Sequence, residues 1–348
     1  MGKKGNISPL YEMPHVMKIL ITGASGFVGS HIVDRALQLG YETWASIRPT
    51  SDLTYLTDER IHLIELDYTH ATLLYDQLQF HRDTHGAWDV VVHCAGITKS
   101  LRSSDFYTIN YDGTRHLADT LIALHMQPRQ FIFISTLGVY GPLHETTPFR
   151  PTIESDIPHP NTHYGRSKRL AEEYLMKLSG FPYVIFRPTG VYGPRDKDYT
   201  ILIHALRNHL ELTLGYRHQE LTFIYIHDLV KAIFLSISHN ISRRSYFITD
   251  NNIYTSHDFA DIVRQAIDNP FVLRITIPLW IGYLAAHLCD AIGHLTQQSF
   301  TFNTDKFRLL KQRNWTCDIT PIIQELGYRP EYNLQRGIHE IIPCRKDS

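Results

Sequence analysis

The sequence predicts an α/β protein: a doubly wound parallel sheet with a smaller C-terminal substrate-binding lobe. Three observations predict it. A short apolar run, Lys18-Ile19-Leu20-Ile21-Thr22, leads into glycines at Gly23, Gly26 and Gly29 and then into a helical pattern. Strand-like and helix-like segments go on alternating over residues 17–193. The length of 348 residues suffices for one large α/β unit carrying an appended lobe.

The first apolar run is continuous rather than alternating, the mark of a strand buried on both faces. Residues 27–39 read as a helix stopped by Gly40. Between them, one glycine permits a tight turn, another lets the backbone approach a pyrophosphate, and a third lets helix and strand pack closely. The helix N-terminus then faces the phosphates. Gly23, Ser25, Gly26, Phe27, Val28 and Gly29 are therefore candidates to hold a dinucleotide.

The second strand reads Glu42-Thr43-Trp44-Ala45-Ser46-Ile47 and is followed by Arg48. No carboxylate ends it to accept from a ribose 2′-hydroxyl. Arg48 stands about 20 residues past the glycine turn, where the ribose selector is expected. A cation there suits a 2′-phosphate, and Ser46 and Ser51 can add hydrogen bonds. NADP(H) is favoured over NAD(H).

A later strand, Phe131-Ile132-Phe133-Ile134, ends in Ser135 and Thr136. Hydroxyls at a strand's carboxyl end lie where ligands bind in an open α/β sheet. A proline-rich loop over residues 142–160 leads to Tyr164, from which the pattern is helical, so Tyr164 and Lys168 share one face. A free phenol has a pKa near 10 and is a poor base at neutral pH. An ammonium one turn away favours the phenolate.

The chain divides into a flexible tail (1–16, with Met17 a candidate natural start), a dinucleotide-binding domain (17–194) and a substrate-binding lobe (195–222 and 256–343). Residues 223–255 are expected to return to the main sheet. A small-molecule substrate should bind in the cleft between the lobes. Residues 271–295 are apolar with few charges and read as packed helical core ahead of a substrate wall or a peripheral membrane contact. His287 and Asp290 interrupt them, which argues against a membrane span.

A formal net charge of −1, with no basic cluster interleaved with aromatics, gives no case for nucleic acid. Cys94, Cys289, Cys317 and Cys344 are far apart and read as the reduced complement of a cytoplasmic protein. The 21 histidines are scattered without metal-ligand spacing, so no metal site is expected. The first 16 residues lack the apolar core of a secretory signal.

In motif order the chain resembles the extended short-chain dehydrogenase/reductase superfamily, the NAD-dependent epimerase/dehydratase group, with its Rossmann domain. The resemblance rests on Thr22–Gly29, Asp67, His93-Cys94-Ala95-Gly96, Asn110-Tyr111-Asp112-Gly113-Thr114, Ser135-Thr136 and Tyr164/Lys168. Arg187-Pro188-Thr189-Gly190-Val191-Tyr192-Gly193-Pro194-Arg195 and Phe223-Ile224-Tyr225-Ile226-His227-Asp228-Leu229 complete it. It implies Tyr164 as general acid/base, with Lys168 lowering its pKa and holding the nicotinamide ribose. Thr136 falls at the catalytic Ser/Thr position with Ser135 its neighbour, and Asn110 supports the lysine through solvent. Asp67, beside Tyr68, approaches the adenine, Ala95 and Gly96 pass beneath the cofactor, and Pro188 and Val191 line its nicotinamide end. The resemblance also implies a homodimer through the helices carrying Asn110 and Tyr164.

Departures from the group bear on the substrate. Dehydratases follow the catalytic threonine with Asp-Glu; here Leu137-Gly138 follow, and neither moves a proton. Nucleotide-sugar epimerases place a diphosphate-binding asparagine where this chain has Gly190, and an arginine where it has Leu221. Arg195, Lys197 or Arg217 can compensate for the lost phosphate contacts. The motifs are closest to the dihydroflavonol-reductase and 3β-hydroxysteroid-dehydrogenase branches. The first expectation is thus an oxidoreductase acting on a secondary alcohol or ketone of a small, apolar substrate. A nucleotide-sugar epimerase and a non-catalytic cofactor-binding sensor are the alternatives.

Overall fold

A computed structural model describes residues 16–268, 271–298 and 300–342. The expected tail, apart from exposed Val16, and Cys344 lie outside the described residues. The first half of the chain runs β1 (Lys18–Thr22), α1 (Phe27–Gln38), β2 (Glu42–Ile47), β3 (Ile61–Glu65), α2 (Ala71–His85) and β4 (Val90–His93). A long helical stretch follows, in which α3 (Ser103–Phe106) and α4 (Gly113–Ala123) flank a π-helical segment, Tyr107–Asp112. Next come β5 (Gln130–Ile134), a 3₁₀ turn (Leu137–Val139), α5 (His163–Lys177), β6 (Tyr183–Pro188) and β7 (Gly190–Tyr192).

The second half contributes α6 (Asp198–Arg207), β8 (Leu210–Leu214), β9 (Phe223–Tyr225), α7 (Ile226–Ser238) and β10 (Arg244–Ile248). It continues with α8 (Asp258–Ala266), β11 (Leu273–Ile277), α9 (Leu279–Thr296), α10 (Thr304–Leu310), α11 (Thr320–Leu326) and α12 (Leu334–Ile341). Seven parallel strands form the main sheet in the order β10-β6-β5-β4-β1-β2-β3. The strand order reverses between β1 and β4, and a doubly wound sheet opens its ligand crevice at such a point.

Period-two alternation sorts the strand residues between two helical layers. Ile19, Ile21, Ile132 and Ile134 face the layer of α1, α7 and α11. Leu20, Phe131 and Phe133 face the layer of α2, α4 and α5. Within residues 223–255, β10 joins the main sheet, whereas β9 pairs with β7 in a separate two-stranded sheet. A third core, built on Tyr192, Phe223, Phe259, Val263 and Ile338, holds the lobe together.

One expectation is overturned. Packed core is expected over residues 271–295, yet α9 turns its large side chains outward: Trp280 is 65 % exposed, Leu284 58 % and Leu288 60 %. Its buried positions are Gly282, Ala286 and Gly293. Composition reports how apolar a helix is but not which stripe meets the protein. Here the small residues do, because Leu214 and Phe307 press on Gly282, and Leu101 and Phe300 press on Gly293. Among the described residues, no helix is long and apolar enough to cross a membrane.

Candidate active site

The glycine turn is built by contact. Gly23 has φ +63°, a conformation that L side chains rarely adopt, and a Cβ there would lie 2.8 Å from the Ala95 amide nitrogen. A Cβ on Gly29 would sit 2.2 Å from the Gly23 carbonyl oxygen. Helix α1 therefore starts against the backbone of the turn, with Gly26 as its N-cap and no side-chain cap over its first amides. Uncapped N–H groups at a helix start form an anion site. Gly29→Ala is expected to lower stability by about 1–3 kcal/mol and abolish dinucleotide binding. A denaturation midpoint and a cofactor titration matching the parent protein would refute this.

A buried histidine locks β1 to β4 beneath the turn. His93 Nδ1 lies 2.8 Å from Thr22 Oγ1, and Nε2 lies 3.0 Å from Thr114 Oγ1. Thr114 Oγ1 donates to the Asn110 carbonyl, so it accepts from His93 Nε2–H, leaving Nδ1 to accept from Thr22. Thr22 Oγ1 in turn accepts from the Cys94 and Ala95 amides. Burial holds the His93 pKa down at about 3, so the ring is neutral. This network fixes the stretch from Cys94 to Gly96 beside Gly23.

The tyrosine and lysine lie on α5, started by the N-cap Thr162, whose Oγ1 accepts from the Gly165 amide at 3.0 Å. Asp305, from the lobe helix α10, accepts from the His163 amide at 2.8 Å and the Tyr164 amide at 3.4 Å. Gly165 allows the 3₁₀ turn to approach, since a Cβ there would lie 2.5 Å from the Gly138 carbonyl oxygen. That approach brings Thr136 beside the half-buried Tyr164, where its hydroxyl lowers the phenol's pKa. Thr136 Oγ1 also accepts from the Gly138 amide at 3.1 Å.

Burial pushes the Tyr164 phenol up to about 12, and only the Thr136 hydroxyl opposes it. Burial likewise pulls the Lys168 ammonium down to about 8. Desolvation sets both shifts, and the expected attraction between ammonium and phenolate contributes to neither. Lys168 Nζ donates to the Ile134 carbonyl at 2.9 Å and lies 4.4 Å from the Phe133 ring centroid.

Asn110, on the π-helical segment, spends its amide on protein groups. Its Oδ1 accepts from the Ile97 amide, and its Nδ2 donates to the Ile97 carbonyl and to Ser167 Oγ. A Cβ on Gly96 would meet Asn110 Oδ1 at 2.9 Å and Lys168 Nζ at 3.3 Å, so both groups converge beside that exposed glycine.

The other expected residues surround this centre. Asp67 ties down its own turn, accepting from Thr69 and His70, contacts that hold its carboxyl at about 2. Tyr68 donates to Ser46 Oγ at 2.6 Å, and Ser51 Oγ accepts from the Arg48 amide. Both serines therefore already have protein partners. Arg48 is exposed, and among the described residues its guanidinium makes no hydrogen bond or ion pair. Arg195 pairs with Asp34 at 2.8 Å and covers the Tyr55 ring.

Pro188, which ends β6, is buried, and Val191, in the middle of β7, is half-buried. Between them, Gly190 leaves room for Tyr199, whose hydroxyl would lie 2.2 Å from a Cβ at 190. Ser135 Oγ and Thr189 Oγ1, just past the carboxyl ends of β5 and β6, are buried without a hydrogen-bond partner. Orphaned hydroxyls here, with a glycine cradle that admits no Cβ, fit a dinucleotide lying across the strand ends. Among the described residues, no group of three or more His, Cys, Asp or Glu side chains is placed to hold a metal.

Several groups were invisible to sequence reasoning. Asp305 is 142 residues from His163 and carried no local signal. The buried Glu172–Arg187 pair, at 2.9 Å, joins α5 to β6. Thr162 was findable, since a threonine ahead of a helical pattern signals an N-cap.

Comparison with known proteins agrees with this geometry. Residues 19–248 match the NAD dependent epimerase/dehydratase family. The chain is 27 % identical to a UDP-glucose 4-epimerase of Vibrio cholerae, covering 92 % of this chain and 93 % of that one. It is 24 % identical to a decarboxylating sterol-4-alpha-carboxylate 3-dehydrogenase of Candida albicans, covering 93 % and 96 %. A crystal structure of dTDP-glucose 4,6-dehydratase from Bacillus anthracis in complex with NAD superposes with a TM-score of 0.73 at 19 % identity, over 94 % of this chain and 96 % of that one, and so shares the fold. With the glycine turn at the switch point and the family match running through the whole main sheet, the chain is an enzyme of the NAD dependent epimerase/dehydratase family and takes a nicotinamide cofactor.

Proposed function

We propose that the chain is an NADP-linked oxidoreductase interconverting a secondary alcohol and a ketone on a small, apolar substrate. The observation that carries this reading is the set of proton-handling groups at the strand ends. Thr136 lies beside Tyr164 and Lys168 reaches the Ile134 carbonyl at the end of β5, while Leu137 and Gly138, which follow Thr136, are buried and carry no acid or base. That set serves one proton transfer at one oxygen and lacks the extra pair that water elimination needs.

Gly23 to Gly29, Ala95, Gly96, Ser135, Lys168, Pro188 and Val191 would hold the cofactor, with Asp67 and Tyr68 toward its adenine. When bound, the nicotinamide supplies or takes up the hydride at the substrate carbon. Tyr164, protonated at neutral pH because burial raises its pKa to about 12, donates to the oxygen as negative charge develops there. Thr136 hydrogen-bonds the same oxygen and aligns the phenol. Lys168 supplies the charge that favours the phenolate left behind. Asn110 is a positioning residue, fastening the Ile97 loop to α5 through Ser167.

Two observations support this reading over sugar-nucleotide chemistry. Tyr199 fills the space beside Gly190 where epimerases present an asparagine, and Arg195 is engaged by Asp34 and Tyr55. The Vibrio cholerae relative favours an epimerase as the second reading. The unpaired guanidinium of Arg48 supports NADP(H).

The test is to denature freshly purified protein, identify any released nucleotide, titrate empty protein with NADPH and NADH, and screen ketones and aldehydes by NADPH loss. Tightly held stoichiometric NAD would overturn the reading in favour of the epimerase. Arg48→Ala is expected to weaken NADPH binding by about 10–100-fold, one charge-assisted contact, and to leave NADH binding unchanged. Equal effects on both cofactors would refute the role of Arg48.

A further inference from the structure

Helix α9 is built inside out for a protein in water. Gly282, Ala286 and Gly293 face the lobe, while Trp280, Tyr283, Leu284, Leu288 and Leu295 stand in solvent, Leu295 with 85 % of its surface exposed. The apolar area continues onto the adjoining β11, where Leu273 and Ile275 are exposed, and onto Leu212 of β8, the strand-to-strand partner of Ile275. Patches of this kind on a folded surface mark an interaction site.

Beside β11 the carboxylates of Glu211 and Asp261 are taken up by Arg274. Over residues 271–298, Asp290 is the only carboxylate, and it is occupied, accepting from the Thr304 amide at 3.2 Å. Four exposed cations border α9: Lys99, Arg102, Arg217 and Lys311. Lys99 and Arg102 flank Leu101, which touches Gly293. Arg217 follows Tyr216, held to the Thr276 carbonyl, and neighbouring Gly215 abuts Leu279. Lys311 ends the turn after α10 and lies over Phe307, which presses on Gly282. Among the described residues, none of the four makes a salt bridge. An apolar face with outward Trp and Tyr and a cationic rim matches the interface of an anionic phospholipid bilayer. A second copy docked about a two-fold axis would instead set this rim against itself.

From this we infer that α9, with the β8–β11 edge, is a monotopic membrane-docking face that takes anionic phospholipid. The face adjoins the candidate active site, because α10 packs along α9 and its Asp305 binds the start of α5. The inference does not depend on which reaction the site performs.

The test uses the full chain with vesicles of phosphatidylcholine alone or mixed with phosphatidylglycerol. Trp44 and Trp88 are buried and Trp315 half-buried, so Trp280 dominates quenching by brominated acyl chains. Expected are co-sedimentation with the mixed vesicles, quenching of the tryptophan emission, and binding that weakens with added salt. Leu284→Glu with Leu288→Glu, both at exposed positions that the fold tolerates, should lower the partition coefficient by at least about tenfold. Arg217→Glu with Lys311→Glu should remove the preference for phosphatidylglycerol. No vesicle binding, or binding unaffected by the two leucine substitutions, overturns the inference. So does a dimer that those substitutions dissociate while vesicles stay unbound, which would assign the face to a second copy.

Discussion

Glu172→Ala is expected to destabilise the protein by about 3–5 kcal/mol, because it leaves the buried Arg187 guanidinium charged with only the distant Glu154 carboxylate, 3.9 Å from NH1, as its remaining ion-pair partner. Glu172 is fully buried and Arg187 is 2 % exposed. Arg187 Nε and NH2 both donate to the Glu172 carboxylate, at 3.1 Å and 2.9 Å. NH1 completes the shell with Ser245 Oγ at 3.2 Å and the Tyr140 hydroxyl at 3.4 Å. Burial alone would favour neutral arginine, yet the charge of Glu172 reverses that and raises the Arg187 pKa. The pair ties α5, which carries Tyr164 and Lys168, to β6, which leads into Pro188 and Thr189. Denaturant midpoints at constant m-value measure the loss. Glu172→Met combined with Arg187→Leu should recover most of it, since no charge remains stranded. A single-variant loss below about 1 kcal/mol would show that water reaches the guanidinium and that the pair is not a buried one.

That pair illustrates what the sequence could and could not disclose. Strands β1 and β5 were legible because burial on both faces demands unbroken apolar runs such as Ile-Leu-Ile and Phe-Ile-Phe. The helix of Tyr164 and Lys168 was legible because their spacing equals one turn. Arg187, by contrast, sits in an apolar strand, and nothing local says that its charge turns inward toward a carboxylate on another element. Asp305 reaches the first amides of α5 from the far end of the chain, a contact made by lobe packing alone. Helix α9 was misjudged because apolarity was taken as burial. Its glycines and alanine at positions 282, 286 and 293 held the informative signal, as they are spaced to share one face. The room beside Gly190 was foreseeable as a missing side chain, but its occupant, Tyr199, was not.

Tyr164→Phe is expected to lower turnover by about 10²–10⁴-fold, the range for removal of a positioned general acid. Phenylalanine keeps the ring and deletes only the hydroxyl, which meets Thr136. The helix start stays intact, because Thr162 and Asp305 hold backbone amides rather than the phenol. Stability and NADPH affinity should therefore stay within about twofold of the parent, a change under about 0.5 kcal/mol. The loss should fall on kcat as much as on kcat/KM, because the proton is needed at the developing alkoxide and not in ground-state binding. Lys168→Met should differ in kind. Removing the ammonium takes away both a buried charge and the donor to the Ile134 carbonyl, so cofactor affinity and turnover should fall together. The measurement is steady-state turnover of a ketone or aldehyde reduced by the parent protein, alongside cofactor titration of each variant. Turnover by Tyr164→Phe within about threefold of the parent would remove the tyrosine as proton donor, because even the weakest general-acid effect exceeds that. Unchanged NADPH binding with no turnover in parent or variant would instead place the chain among cofactor-binding sensors, for which the phenol is dispensable.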